Sequence, residues 1–229
     1  MAGIWESQNK VIPGAYINIL TNTPLSITAG DRGTVVLAQE LSVGTDNEIY
    51  EITVNNAAYP DNATAADKKL AGLALLGAKT VLLYKLPASH TDEHVEAMLT
   101  ALKTVDFDVL VYPYAKSGTG SSTAQQTIAT WIKSIQDDEG KNVTVVLPNY
   151  TADSEYVINS VQGVTLSDGS NLTAYETAAW IGGITAGASV TKSNTGQKFV
   201  GAIDVSPRMT RSEQETAIKA GKFLLDVDR

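Results

Sequence analysis

The sequence predicts an α/β fold with a mostly parallel sheet and helices on both of its faces. Three observations lead to this prediction. Between residues 25 and 150, short apolar segments alternate with segments whose apolar residues recur at helical spacing. The short segments are apolar almost throughout, as parallel strands buried on both faces must be. Capping residues and glycines bound several of the helical segments.

The chain divides into three regions by pattern. Residues 1–24 form an extended arm, because the strand-like run IPGAYINIL is followed by a polar break. Residues 25–150 form the α/β sheet domain. Residues 151–229 form a mixed α/β portion that stops inside a predicted strand, so we expect it to be truncated at its C-terminal end.

The sheet domain contains five strand candidates, each rich in aliphatic and β-branched residues. They are 33–38, 48–54, 79–86, 107–113 and 142–148. Three helical segments lie between them. The first spans 64–77, with Thr64 and Asp67 at capping-box spacing and Gly77 as its stop. The second presents an apolar face from Val95 to Leu102, and the third runs from about Ala124 to a stop at Gly140.

The mixed portion begins with 155–166, which reads as one or two strands that turn at 167–169. Two helices are predicted after it, each from a capping box in which Glu follows Thr by three residues. The boxes are Thr173 with Glu176 and Thr210 with Glu213. The remaining predicted elements are a strand at 198–204, a cap at Gly221 and a strand at 222–228.

Composition excludes several classes of function. The chain of 229 residues is 43% apolar and 18% charged, which is typical of a folded globular protein. Its net charge of −8 argues against a nucleic-acid-binding face. The absence of cysteine excludes a disulfide framework, a thiolate metal site and a cysteine nucleophile. No apolar run approaches the roughly 20 residues of a membrane helix, and no signal pattern opens the chain, so no membrane partner is expected.

A glycine-rich loop at 117–123 invites a phosphate-binding interpretation. It joins a predicted strand to a predicted helix, where free backbone amides bind anions. The Walker pattern requires a lysine that this loop lacks, and the dinucleotide pattern requires a third glycine where Thr123 stands. The simpler interpretation is a connection in which Ser122 and Gln125 form a capping box. A phosphate- or nucleotide-binding enzyme that uses this loop remains the alternative function.

Other candidates for chemistry are few. His90 and His94 are the only histidines, and a metal would need further ligands that no pattern supplies. A serine triad would have to use one of them, and the sequence contains no GxSxG elbow. The carboxylates 137–139 read as a solvated helix end. We therefore expect no catalytic residue, no cofactor and no metal site.

The helix after Thr173 is unusual for its small residues, which form two adjacent stripes along it. The stripes are Ala178, Gly182 and Ala186, and Ala179, Gly183 and Gly187. Glycine costs a helix roughly 1 kcal/mol relative to alanine, so close packing must compensate. The stripes pack either against the sheet of the same chain or against another subunit.

The N-terminal strand lacks an obvious partner within the chain, so it could pair with its own sheet or with a neighbouring subunit. The residues proposed for this inter-subunit arm are Pro13, Gly14, Ala15, Tyr16, Ile17, Asn18 and Ile19.

Four stretches together resemble the contractile-tail sheath proteins of bacteriophages and phage-tail-like particles, especially the shorter Gram-positive type. They are SQNKVIPGAYINI (7–19), GDRGTVVLA (30–38), GVTLSDGSNLTAYETAAWIGGITAGASVTKS (163–193) and FVGAIDVSPRMTRSEQETAIKAGKFLL (199–225). The resemblance covers most of the chain in order, and none of its motifs is catalytic.

This resemblance implies a structural, non-enzymatic subunit of a virion tail or phage-tail-like particle, made in the bacterial cytoplasm. Its expected partners are other sheath subunits and the tail tube protein. The arm at 9–20 would add a strand to a neighbour. Contraction would be a rigid-body rearrangement of subunits that needs no nucleotide.

Sheath proteins continue beyond the position of Arg229, so we expect this chain to be a fragment that is monomeric or weakly associated. A generic adaptor or capsid-like module is a further alternative.

Overall fold

The computed structural model describes residues 33–114, 123–150, 154–189 and 192–227. The predicted arm at 1–24 and most of the glycine loop, residues 117–122, lie outside these ranges. The strands are β1 (Thr34–Glu40), β2 (Ile49–Thr53), β3 (Thr80–Leu86), β4 (Val109–Val111), β5 (Thr144–Pro148), β6 (Val157–Ser160), β7 (Gly163–Leu166), β8 (Asn171–Leu172), β9 (Ala202–Ser206) and β10 (Lys222–Phe223). The helices are α1 (Ala65–Leu75), α2 (Asp92–Leu102), α3 (Thr123–Glu139), α4 (Ala174–Ala186) and α5 (Arg211–Lys219).

Seven strands form the central sheet, in the order β10-β6-β5-β4-β1-β3-β2. Six of them are parallel, and β2 pairs antiparallel with β3 at one edge. The five internal residues of β1 are all buried, because this strand lies in the middle of the sheet and carries helices on both sides. The predicted α/β fold with a mostly parallel sheet is confirmed.

Alternate residues of the strands feed two apolar clusters, one on each face of the sheet. The α2/α3 cluster contains Val36 and Ala38 of β1, packed with apolar residues of α2 and α3. The α1/α4 cluster contains Val35 and Leu37, packed with residues of α1 and α4. The period of two along β1 thus divides the core between the faces.

A second, three-stranded antiparallel sheet follows, in the order β8-β7-β9. Its strands β7 and β8 contact α4. The predicted segment 155–166 therefore becomes two strands in two different sheets, β6 in the central one and β7 in the small one. Since β6 and β10 extend the central sheet, that sheet draws strands from both sides of residue 150, and the domain boundary placed there stays a prediction.

Most predicted element ends agree with the structure, and two strands differ. The strand predicted at 198–204 lies later, at β9, because Phe199 stacks on Trp180 with ring centroids 4.6 Å apart. Gly201, with φ of 87°, then turns the chain into β9. The strand predicted at 222–228 is limited to the two residues of β10 within the described part of the chain.

Candidate functional site

Helix α4 begins with the capping box that its sequence predicts. The Thr173 amide donates to Glu176 Oε2 at 2.8 Å, and the Glu176 amide donates to Thr173 Oγ1 at 3.3 Å. Lys69 Nζ of α1 lies 2.5 Å from Glu176 Oε1, which ties the two helices together. Burial alone would raise the pKa of Glu176, and the hydrogen bonds from Lys69 and Thr173 outweigh it, so that the pKa is lowered.

One stripe of small residues on α4 lies against the central sheet. A Cβ atom on Gly182 would lie 2.2 Å from Val111 Cγ2 of β4, which is far too close for two carbon atoms that are not bonded to each other. Ala178 and Ala186, one turn to either side, are fully buried in the α1/α4 cluster. Only a helix with glycine or alanine along this stripe approaches the sheet so closely.

The other stripe lies against α1. A Cβ atom on Gly183 would lie 2.1 Å from the carbonyl oxygen of Ala74, and one on Gly187 would lie 2.1 Å from that of Gly77. Gly77 is constrained in return, since its own Cβ would lie 2.5 Å from the Ile184 amide nitrogen. Ala179, on the same stripe, is fully buried. Here backbone meets backbone with no side chain between them.

Both stripes therefore contact elements of this chain. Every residue of α4 from Thr177 to Ile184 is buried. A contact between α4 and another subunit, the alternative that the sequence left open, would have to use its half-buried ends, in the first turn or at Thr185.

Three strands end in a cluster of hydrogen-bonded side chains at the carboxyl edge of the sheet. Glu40 ends β1, His90 lies in the loop after β3, and Tyr112 and Tyr114 follow β4. His90 Nδ1 lies 2.6 Å from Glu40 Oε1, and His90 Nε2 lies 2.6 Å from Tyr112 Oη. The Glu40 amide donates to Tyr114 Oη at 2.5 Å. Carboxyl ends of parallel strands meet at one edge, which brings these distant residues together.

The electrostatics of this cluster follow from burial and hydrogen bonding. Burial would raise the pKa of Glu40, and the hydrogen bonds from the side chain and backbone of His90 outweigh it, so that the pKa is lowered. Burial raises the pKa of Tyr112 and Tyr114, so that both phenols stay protonated. Both ring nitrogens of His90 have partners inside the chain. The cluster therefore joins the ends of three strands.

His94 has a separate role. The Thr91 amide donates to His94 Nδ1 at 3.0 Å, at the first turn of α2. The two histidines therefore take different partners. Over the described ranges, no group of three or more His, Asp or Glu side chains is placed to hold a metal ion. In the same residues, no helix is both long and apolar enough to cross a bilayer.

The glycine loop meets the described residues at α3, which begins at Thr123. Gln125, which the sequence predicts to close a capping box with Ser122, donates its Nε2 to two carbonyl groups. These are the carbonyls of Tyr114, at 3.1 Å, and Pro148, at 2.9 Å. Its side chain thus bridges the ends of β4 and β5. Ser122 itself lies outside the described residues.

Asp67 is a buried carboxylate at the first turn of α1, and the capping box predicted for it is present. It also accepts hydrogen bonds from the backbone and side chain of Ser42, at 2.9 and 2.6 Å. Burial would raise the pKa of Asp67, and the hydrogen bonds from Ser42 and Thr64 outweigh it by a wide margin, so that the pKa is lowered. The hydrogen bonds from Ser42 could not be predicted from the sequence, because Ser42 lies 25 residues before Asp67 in the chain.

Sequence comparison with known families decides the identity of this fold. Residues 88–229 match the phage tail sheath protein central domain. The chain belongs to this family. Sheath proteins are structural components of a phage tail or phage-tail-like particle and are not enzymes, and sheath subunits assemble into helical sheaths.

Curated relatives include proteins of phages and of phage-like elements. The chain is 28% identical to the uncharacterized protein YqbK of Bacillus subtilis over 96% of its own length and 47% of the relative. It is 35% identical to protein XkdK of the phage-like element PBSX of the same species, over 57% of the chain and 27% of the relative. It is 29% identical to the tail sheath protein of Clostridium phage phiCD119, over 58% of the chain and 36% of the relative. The chain thus spans about half the length, or less, of these relatives.

Solved structures of sheath proteins have the same fold. The sheath tail protein of Desulfitobacterium hafniense superposes with a TM-score of 0.77 at 25% identity, over 94% of this chain and 72% of that one. The sheath tail protein Lin1278 of Listeria innocua gives a TM-score of 0.74 at 22% identity, over 87% and 66%. The contracted helical sheath of the anti-feeding prophage gives a TM-score of 0.54 at 18% identity, over 90% of this chain and 62% of that one.

Proposed function

We propose that this chain is part of a subunit that polymerises around an inner tail tube and contracts by rearrangement of the subunits. The match of residues 88–229 to the sheath central domain carries the proposal. The tail tube protein and other sheath subunits are the partners, and the subunit is made in the cytoplasm of the bacterial host.

The packing of α4 supports a mechanical role. The helix contacts the sheet on one stripe and α1 on the other, at distances that admit no Cβ atom at three glycines. Interiors packed in this way transmit strain with little deformation. A subunit of this kind moves as a rigid body, so that contraction changes the contacts between subunits and leaves each fold intact.

The extended arm supplies the link between subunits in this proposal. Its residues 13–19 would add a strand to the sheet of a neighbouring copy, where backbone hydrogen bonds hold it with little demand on sequence. The energy of contraction would come from surface buried in the contracted packing, so that neither nucleotide nor metal takes part.

Deletion of residues 1–20 tests the proposal. In the complete gene that carries this chain, expressed with the tube protein, we expect electron microscopy to detect sheathed tubes for the unaltered protein. The deletion should abolish the tubes and leave the far-UV circular dichroism and the unfolding midpoint unchanged, because the arm pairs with a neighbour and not with its own core. A deletion that unfolds the subunit would place IPGAYINIL in its own core and contradict the role of the arm.

A further inference from the structure

A histidine side chain is almost fully enclosed where β1, β3 and β4 end. Only 7% of the His90 side chain is exposed, and its two ring nitrogens each lie 2.6 Å from a partner, Glu40 Oε1 and Tyr112 Oη. The His90 amide donates to the same carboxylate oxygen at 3.0 Å, and the ring of Tyr114 lies against the imidazole with centroids 4.7 Å apart. We name these four residues the His90 latch, because they fix the loop after β3 to the ends of β1 and β4.

The backbone beside the latch is strained. Ser89 has φ of 58°, in the left-handed region, which few residues other than glycine adopt without cost. Such a conformation persists only where the surrounding contacts impose it. The carboxylate of Glu40 supplies such contacts, because it binds both the amide and the ring of the next residue, His90. The latch therefore holds a loop that relaxes when it is released.

The closed latch requires the charge of Glu40. Burial would raise the pKa of this carboxyl group, and hydrogen bonds from the side chain and backbone of His90 outweigh it, so that the pKa is lowered. Acid that protonates Glu40 removes the counter-charge of the imidazole, and acid also adds a proton to an imidazole itself. Because Nε2 of a charged ring is a donor, the fully buried Tyr112 then loses the acceptor for its own hydroxyl proton. A buried imidazolium without a counter-charge is costly, which favours the open latch.

Other titratable groups also face the latch. Burial raises the pKa of Tyr112 and Tyr114, so both phenols stay neutral in acid. Asp92, at the start of α2, is a second carboxylate nearby, and its charge acts on Tyr112. Lys85 of β3 forms its ion pair with Asp46, and the first turn of α3 carries no acidic residue. The carboxylate that both binds the His90 ring and balances its charge is therefore that of Glu40.

We propose that the His90 latch is an acid-sensitive device, which keeps the loop after β3 closed while Glu40 is ionised and releases it when Glu40 is protonated. Because folding lowers the pKa of Glu40, the latch is complete above the ordinary pKa of a glutamate, about 4.3, and opens as the pH falls through the lower folded-state value. The central sheet stays folded, because the pairing of β1 with β3 and β4 and the two apolar clusters do not depend on the side chains of Glu40 and His90. The device belongs to the fold of a single chain and is independent of tail assembly.

Hydrogen exchange measured by NMR tests the device. The His90 amide reports the latch, and the amide of Leu110, which is fully buried in β4, reports the sheet. We expect the His90 amide to lose at least about tenfold more protection than the Leu110 amide between pH 6 and pH 3, because the loop opens while the sheet does not. In Glu40→Gln the same loss should occur at a pH higher by at least about one unit, because the charged imidazole then has no counter-charge at any pH.

The matched control is Glu96→Gln, which removes an exposed carboxylate of α2 outside the latch. It should lose His90 protection at the same pH as the unaltered chain. Equal losses at His90 and Leu110 would mean that the whole chain unfolds, and this would overturn the proposal. So would a control that shifts like Glu40→Gln, or a Glu40→Gln chain that opens at the pH of the unaltered one. If Glu40→Gln does not fold, the titration of the unaltered chain decides alone.

Discussion

Asp67 contributes to stability at the scale of a single residue. Its buried carboxylate accepts four hydrogen bonds, two from Ser42 and two from Thr64. The carboxylate therefore joins the loop after β1 to the start of α1. Four donors stabilise the charged form of the carboxylate, and this explains why the pKa of Asp67 is lowered.

We predict that Asp67→Asn lowers the free energy of unfolding by about 1–3 kcal/mol at neutral pH, because donors of Ser42 and Thr64 lose their acceptor. The folded-state pKa of Asp67 is depressed. The stability that Asp67 contributes is therefore complete above its unfolded-state pKa of about 4. This stability is lost as the pH falls through the lower folded-state pKa. Urea denaturation across acidic pH should accordingly show a shallower loss of stability for the variant.

Asp61→Asn is the matched control for this experiment, because Asp61 is exposed in the loop before α1. It should unfold like the unaltered chain at every pH. Equal acid sensitivity in Asp67→Asn and the unaltered chain would show that Asp67 is not the group that responds.

The cluster around His90 shows which contacts sequence patterns do not report. Glu40 and His90 are 50 residues apart, and His90 and Tyr112 are 22 apart. The capping boxes at Thr64, Thr173 and Thr210 were predicted correctly, because the partners in each lie three residues apart on one helix. The cluster depends on three strands ending at one edge, which only the order of strands in the sheet determines.

At the scale of the element, α4 and α1 form the closest packed pair of helices in the described residues. Their contact is backbone to backbone at Gly183, Gly187 and Gly77. The two stripes on α4 were evident from the sequence, since small residues recur at helical spacing. Their partners were not evident, because nothing in Ala74 or Val111 alone marks them as contacts.

We predict that Gly183→Ala destabilises the fold, by about 1–3 kcal/mol. Alanine favours a helix over glycine by about 1 kcal/mol, but the new Cβ would lie 2.1 Å from the Ala74 carbonyl oxygen. The helices must then separate, and the loss of packing outweighs the gain in propensity. Thermal and urea unfolding measure the difference.

Gly72→Ala on α1 is the matched control, because a Cβ atom there meets nothing within 4 Å. It should stabilise the chain by up to about 1 kcal/mol through helix propensity alone. If both substitutions changed stability in the same direction, close packing at Gly183 would not be the cause.

At the scale of the whole molecule, the strand and helix pattern predicted the fold class, because almost uniformly apolar strands indicate a parallel sheet covered twice. The order of the strands was not predictable. The antiparallel pairing of β2 and the insertion of β10 beside β6 depend on contacts between segments far apart in the chain. Strand β9 also begins later than predicted, at Ala202, because Phe199 stacks on Trp180 and lies outside the strand.

A ligand screen separates the sheath proposal from the phosphate-binding alternative at this scale. A ligand that binds the folded state raises the melting temperature. We predict that nucleotides and sugar phosphates leave it unchanged, because the loop at 117–123 lacks the lysine and the third glycine that phosphate-binding loops use. Differential scanning fluorimetry measures the shift. A rise of several degrees with any nucleotide would favour an enzyme that uses the loop at 117–123.

The order of strands in the central sheet also has a consequence for synthesis. From β1 outwards, β4, β5 and β6 stand in the order in which the ribosome delivers them. Strands β5 and β6 each pair with the strand of this sheet completed just before them, so these two pairings close short loops at small entropic cost. Among the described strands, β10 joins this sheet last, after the whole of the small sheet has been translated. A nascent chain paused before residue 222 therefore ends its sheet at β6, and the open edge of that strand exposes the chain to aggregation during the pause.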